Sequence, residues 1–190
     1  MINRQYEHAS NPLTRHELLL AHLDYAWDRA RPHLRGLTDA EYFWEPAPTE
    51  ECWTVRRRDD GTYIADWTVP EPQPAPFTTI AWRLAHIGLD LDLRANYNFG
   101  DRALTVDKVV WPGSADAALA WIDTAFDRYR GGVAAWRDED LDEHPDGPPG
   151  FLDARFPRAM GIQHITLEVI HHMAEVSLLR DLYRVRAGAQ

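Results

Sequence analysis

His164-Ile-Thr-Leu-Glu168-Val-Ile-His171-His172-Met-Ala-Glu175-Val176 is the stretch on which the reading of this chain turns. It lies in a run from Gln163 to Ala187 with no Gly or Pro, which predicts one continuous helix. At about 100° per residue, with His164 at the origin, Glu168 falls at about 40°, His172 at about 80°, His171 at about −20° and Glu175 at about 20°. The five polar side chains therefore share one wedge. Ile162, Ile165, Leu167, Val169, Ile170, Met173, Ala174 and Val176 fill most of the remaining circumference, so the helix is expected to be buried nearly all round. Carboxylates and imidazoles in such a wedge must pair, hydrogen-bond or bind a metal ion.

Working outward, three more helical segments separate. The first is expected from about Thr14 to Leu34, with Leu18, Leu19, His22, Leu23, Ala26, Trp27 and Ala30 as its apolar stripe and Gly36 as its stop. Thr38-Asp-Ala-Glu41 has the form of a capping box before a short helical turn. The second long helix starts at Thr78 or Thr79 and reaches about Asn96, with Ile80, Leu84, Ile87 and Leu91 on its apolar line and His86 beside it. The third follows Ser114, a good N-cap, and carries Ala118, Trp121, Ile122, Ala125, Phe126 and Tyr129. The last runs from Arg158 to about Arg186. Between the first two long helices, residues 46–76 are punctuated by six prolines and by the turn signal Asp59-Asp60-Gly61. The β-prone pieces Trp53-Thr-Val and Tyr63 to Val69 predict a hairpin or ordered loop there. An acidic, Pro- and Gly-rich connection spans Asp138 to Phe156. The pattern is that of an all-α four-helix bundle forming one domain over residues 1–190.

Composition narrows the function. The 190 residues carry a net charge of −10, and the one basic cluster, Arg56-Arg57-Arg58, is followed at once by Asp59-Asp60, so a nucleic-acid partner is not expected. The single cysteine, Cys52, rules out an intrachain disulfide and a Cys-rich zinc site, and it sits in no nucleophile motif. No apolar leader or membrane-length run is visible, so no membrane association and a cytoplasmic location are expected. Phosphate loops and serine-nucleophile elbows are also missing from the sequence.

Glu168 and His172, at i and i+4, stand on adjacent turns where one ion can join them. A third ligand would come from another helix, and His86 is the best placed. Such a two-His, one-carboxylate set suits zinc, nickel or iron better than calcium or magnesium and leaves coordination positions open. His164 and Glu175 are candidates for orienting a ligand, and His171, at i+3 from Glu168, is an alternate to His172. The same residues fit a metal-free network in which Glu168 and Glu175 accept from His171 and His164. Spacing alone leaves both readings open. Of the eight tryptophans, Trp53 and Trp67 are candidates for the mouth of a ligand site.

Pro74-Ala-Pro-Phe-Thr-Thr-Ile-Ala-Trp-Arg-Leu-Ala-His86-Ile-Gly88, then His164-x3-Glu168-x3-His172 and Leu178-Leu-Arg180-Asp181, resembles the DinB-like superfamily. It is similar in particular to the branch that includes thiol-dependent maleylpyruvate isomerases. The resemblance implies an up-up-down-down bundle with residues 46–76 as a long insertion. It also implies a divalent metal, zinc or nickel, held by His86, Glu168 and His172, and a low-molecular-weight thiol such as mycothiol or bacillithiol as cofactor. Many members of the superfamily have His at the position of Glu168, so the carboxylate here resembles the isomerase-like branch; other relatives have His where this chain has Glu175, and there it departs from them.

Two functional expectations follow. One is a metal-dependent thiol S-transferase or isomerase acting on a small electrophile. The other is a small-molecule-binding or stress-associated bundle with a metal-free polar core. Homodimerisation through apolar helix faces is compatible with either.

Overall fold

Thr14 starts the first helix by a reciprocal cap. Its hydroxyl accepts from the Glu17 N–H, and the Glu17 carboxylate accepts from the Thr14 N–H at 2.8 Å. The computed structural model describes residues 12–145 and 155–188. Helix α1 covers Arg15–Ala30 and tightens into a 3-10 turn over Arg31–Leu34, because Pro32 has no N–H to continue the α ladder. Gly36, at φ +68, turns the chain into the four-residue helix α2 (Asp39–Tyr42), which the Thr38/Glu41 capping box begins.

Four short strands follow: β1 (Cys52–Trp53), β2 (Val55–Arg57), β3 (Tyr63–Ala65) and β4 (Phe77–Thr78). β2 and β3 form an antiparallel hairpin with Val55 opposite Ala65 and Arg57 opposite Tyr63, and Gly61 at φ +85 makes the turn. β1 runs parallel to β4. Thr79 then caps α3 (Ile80–Phe99), and Ser114 caps α4 (Ala115–Ala134). After a 3-10 turn at Asp138–Asp142 comes α5 (Arg158–Gly188). Of the expected Pro- and Gly-rich connection, residues 146–154 lie outside the described residues, as does the N-terminal His8.

The core lies where α1 packs on α5, α5 on α3, and α3 on α4. Trp27 of α1 stacks flat on Phe126 of α4, with ring centroids 4.0 Å apart, and closes the ring of helices. The most buried helix is α3 rather than α5. Thirteen of the 20 α3 residues are buried, against seven of 31 in α5, and those seven all lie between Ile162 and Val176. The all-round burial expected of the last helix therefore fails. With only α1 and α3 as principal neighbours, α5 leaves Leu167, Ile170, Leu178, Leu182 and Val185 at 46–70% exposure. A similar correction applies to α1, where Leu18 and His22 are exposed and Leu20, Leu23, Ala26 and Trp27 face the core.

Two polar clamps fix the register of these parts. Arg180 of α5 donates through Nε and Nη2 to the Glu41 carboxylate at 3.0 and 3.2 Å. Its Nη1 reaches the carbonyls of His33 and Arg35. The hairpin docks on the start of α3 through the Trp82 indole N–H, which donates to the Asp66 carbonyl at 2.7 Å. The buried Thr79 and Thr54 hydroxyls meet at 2.8 Å in the same region. Gly113 accommodates the Tyr63 ring, which occupies the space that a Cβ at 113 would need. These contacts bring Trp67 over the face of α3 that carries His86.

Candidate metal centre

His86 of α3 and Glu168 and His172 of α5 meet across the helix pair. Glu168 Oε2 accepts from His172 Nε2 at 2.8 Å and from His86 Nε2 at 3.1 Å. The two imidazoles stand edge to face, centroids 4.8 Å apart, so both Nε2 atoms converge on one carboxylate oxygen. One ligand atom from each residue lies within 4.8 Å of the others. The side chains are 18%, 15% and 9% exposed for His86, Glu168 and His172, so this polar cluster is largely withdrawn from water. The i, i+4 placement on α5 puts Glu168 and His172 on one face, and the packing of α5 on α3 supplies His86.

The far nitrogen of His172 is also held. Nδ1 lies 2.6 Å from Glu175 Oε2, and Arg83 Nη2 donates to Glu175 Oε1 at 3.1 Å. Arg83 precedes His86 by three residues on α3, so one helix supplies both a candidate ligand and the cation that fixes the carboxylate behind the other. This is the arrangement by which metal-binding histidines are oriented and made more basic. His86 is fixed differently, by stacking on Trp82 at 5.1 Å and Trp67 at 6.0 Å. Its Nδ1 is buried and has no hydrogen-bond partner among the described residues.

The electrostatics follow from this geometry. Burial alone would push the Glu168 pKa up, but hydrogen bonds from His172 and His86 and their charges hold it well below the usual carboxylate range. Burial likewise opposes charge on His172, yet hydrogen bonds to Glu168 and Glu175 raise its pKa above the ordinary value of 6.5. Without an ion, a proton on His172 between the two carboxylates is therefore favoured over its ordinary state. An ion held by Nε2 would take the place of that proton, while Nδ1–H stays on Glu175. The donor set of two imidazoles and one carboxylate fits zinc, nickel or iron and leaves positions for an external ligand.

The remaining histidines of the wedge stand apart. His164 Nε2 is 3.8 Å from Glu168 and 3.9 Å from Asp90, beyond hydrogen-bonding distance, and its side chain is 43% exposed. His171 stacks on His172 and belongs with it and Glu175 to a second candidate ligand group. In that group the Glu175 carboxylate is already engaged by His172 Nδ1 and Arg83, and the His171 side chain is 60% exposed. Cys52 is buried, and burial pushes its thiol pKa up, the reverse of what a nucleophile needs. Sequence reasoning passed over Arg83, although a lone cation between Ile80 and Leu91 on an apolar helix was a visible signal. It also gave Trp82 no place beside His86, despite the i, i+4 spacing.

The helices and the triad they share define a helical protein with a two-His, one-carboxylate cluster on facing helices. A family model described as the DinB superfamily matches residues 22–176, and the chain belongs to that superfamily. The match takes in His86, Glu168 and His172. No curated protein and no solved structure matches the chain. Among the described residues, no helix is long and apolar enough to cross a membrane.

Proposed function

We propose that this chain is a cytoplasmic divalent-metal protein in which His86, Glu168 and His172 hold zinc or nickel for thiol-dependent transfer or isomerisation of a small electrophile. The observation that carries the reading is the convergence of both Nε2 atoms on Glu168 Oε2 while Glu175 holds Nδ1 of His172. Bound there, a divalent ion supplies the Lewis acidity that favours a thiolate over a thiol. The protein's own groups do the rest. Glu175 keeps the proton on His172 Nδ1, and Arg83 keeps Glu175 in place. Trp67 and Trp82 stack beside the ring of His86 and fix its plane. A thiol of the mycothiol class fits the family resemblance, and we read the helices as an up-up-down-down bundle with residues 46–76 inserted.

The test is elemental analysis of protein purified without a metal-affinity column, beside the His86→Ala/His172→Ala double variant. About one equivalent of zinc, nickel or iron in the wild type and little in the variant is expected. No metal in either, even after reconstitution, favours a binding bundle with a metal-free polar core. That second reading draws on one observation: Glu168 already accepts from both imidazoles, so its carboxylate is satisfied without an ion.

We also infer that the open flank of α5 pairs with a second copy of the chain. Leu167, Ile170, Leu178 and Val185 recur at helical spacing along it, and Leu18 and Tyr25 of α1 extend the same apolar surface.

A further inference from the structure

A roomy cleft stands apart from the His86 cluster. It lies between the β2–β3 hairpin and the chain from Val106 to Trp111 and encloses about 910 Å³, a volume suited to a small organic molecule. Ile64 and Trp67 form one bank, and Val106 and Val110 the other. Their exposures of 36%, 50%, 45% and 89% mean that two separate stretches of sequence leave apolar side chains open to the same space. One flat apolar molecule between the banks would remove both from water.

The walls are held in place before any ligand arrives. The Tyr63 ring occupies the space left by Gly113. Trp67 is backed by Trp82, stacked at 6.0 Å, and Trp111 meets Trp121 edge-on at 6.2 Å.

Charge selects the kind of molecule. Three charged residues line the cleft: Arg58, Asp107 and Lys108. Lys108 donates its ammonium to the Ala103 carbonyl at 2.7 Å and sits beside Asp107. The Arg58 guanidinium makes no hydrogen bond or ion pair among the described residues. Asp60 accepts from the Thr62 N–H and hydroxyl at 2.9 and 2.6 Å, and its carboxylate also feels the Arg58 charge. Arg58 and Lys108 give the lining two cations against the one carboxylate of Asp107, a local positive excess on a chain of net charge −10. At the edge of an apolar cleft it favours an anionic group.

We propose that this cleft binds a small organic anion with a flat, apolar body. The anionic group lies on Arg58 and the body between Ile64 and Trp67 on one side and Val106 and Val110 on the other. Trp67 is shared, since its ring also lies 6.0 Å from that of His86. A molecule in the cleft is thus separated from the histidine cluster by one indole. The cleft's own walls carry this inference, which does not rest on the metal.

The experiment is fluorescence titration of the full-length protein with 8-anilinonaphthalene-1-sulfonate, an anion, and with its uncharged analogue N-phenyl-1-naphthylamine. Metal-loaded and chelator-treated protein are compared, with circular dichroism to verify folding of each variant. One binding site is expected for each probe, with affinities equal within about twofold in the two metal states. Arg58→Glu is expected to weaken the anion about tenfold and leave the neutral probe within about twofold, and Val110→Asp to weaken both about tenfold. Unchanged anion binding in the folded Arg58→Glu and Val110→Asp variants would overturn the proposal. So would loss of binding on Ile170→Asp alone, which would move the probe to the groove between α1 and α5. Anion binding that appears only with metal present would also overturn it. A failed metal reading leaves the titration in chelated protein intact, so the two failures are distinguishable.

Discussion

Replacing Glu175 by Gln tests whether the carboxylate behind His172 acts electrically or merely fills space. The substitution keeps the size and an acceptor oxygen for Nδ1–H, but removes the charge that stands 2.6 Å from the ring and pairs with Arg83. Losing a carboxylate partner behind a ligating histidine costs about 10–100-fold in metal affinity, or about 1.4–2.7 kcal/mol. A second effect opposes this one. Glu175 is one of the two groups that raise the His172 pKa, so the Gln variant holds its competing proton less tightly. Near pH 7 the two effects partly cancel, and the measured loss should fall below about tenfold. Near pH 9 the proton competes less in the wild type as well, and the loss should approach the full range. Zinc affinity measured against a chromophoric chelator at both pH values gives the two losses. Calorimetry in buffers of different ionisation heat gives the proton count. The wild type should release more protons per ion than the variant. A loss that is the same at both pH values, with unchanged proton release, would refute the coupling of Glu175 to His172.

In chelated protein the same pair shapes stability against pH. The Glu168 pKa is depressed, so its contribution is fully present above its ordinary value of 4.5 and is lost as pH falls through the folded value. The His172 pKa is raised, so its contribution is fully present below 6.5 and is lost as pH rises through the folded value. Melting temperatures should therefore be highest between these limits, and the alkaline decline should flatten in His172→Gln. Gly132→Ala places a methyl group inside the Phe99 ring at the end of α3 and should cost about 1–3 kcal/mol in denaturant unfolding. Asp90→Ala removes the carboxylate that stands 3.0 Å from the buried Arg94 and should cost about 1–3 kcal/mol by the same measurement. Ile170→Glu should halve the mass measured by light scattering if the α5 flank joins two copies; an unchanged mass would remove that inference.

Much of the fold was legible because caps and breakers are local signals. Thr14, Thr38 and Ser114 each accept from the backbone N–H three residues on. Thr79 settles the choice between the two threonines before α3 in the same way. Burial was less legible. Periodicity shows that Leu167 and Ile170 are apolar but carries no information about which flank has a neighbour, and among the described residues α5 lacks one there. The grouping of His86 with Glu168 and His172 was anticipated from the i, i+4 spacing and the family resemblance. Trp67 was a candidate for a ligand mouth, but its stacking on His86 and the role of Arg83 were not anticipated, because both depend on contacts between segments far apart in sequence. Arg83 meets Glu175 92 residues away. Trp67 reaches His86 only because the hairpin hangs on the Trp82 indole.

Arg180 has a consequence for the centre it does not touch. It stands eight residues beyond His172, about 12 Å along the helix axis, and grips Glu41 and two carbonyls at the end of α1's 3-10 turn. Glu41 in turn caps α2, so the far half of α5 is bolted to the chain just before the strands. Sliding α5 by one turn would break that bolt and carry Glu168 about 5.4 Å out of line with His86. The alignment of the three side chains is thus gauged from a distant point on the same rod.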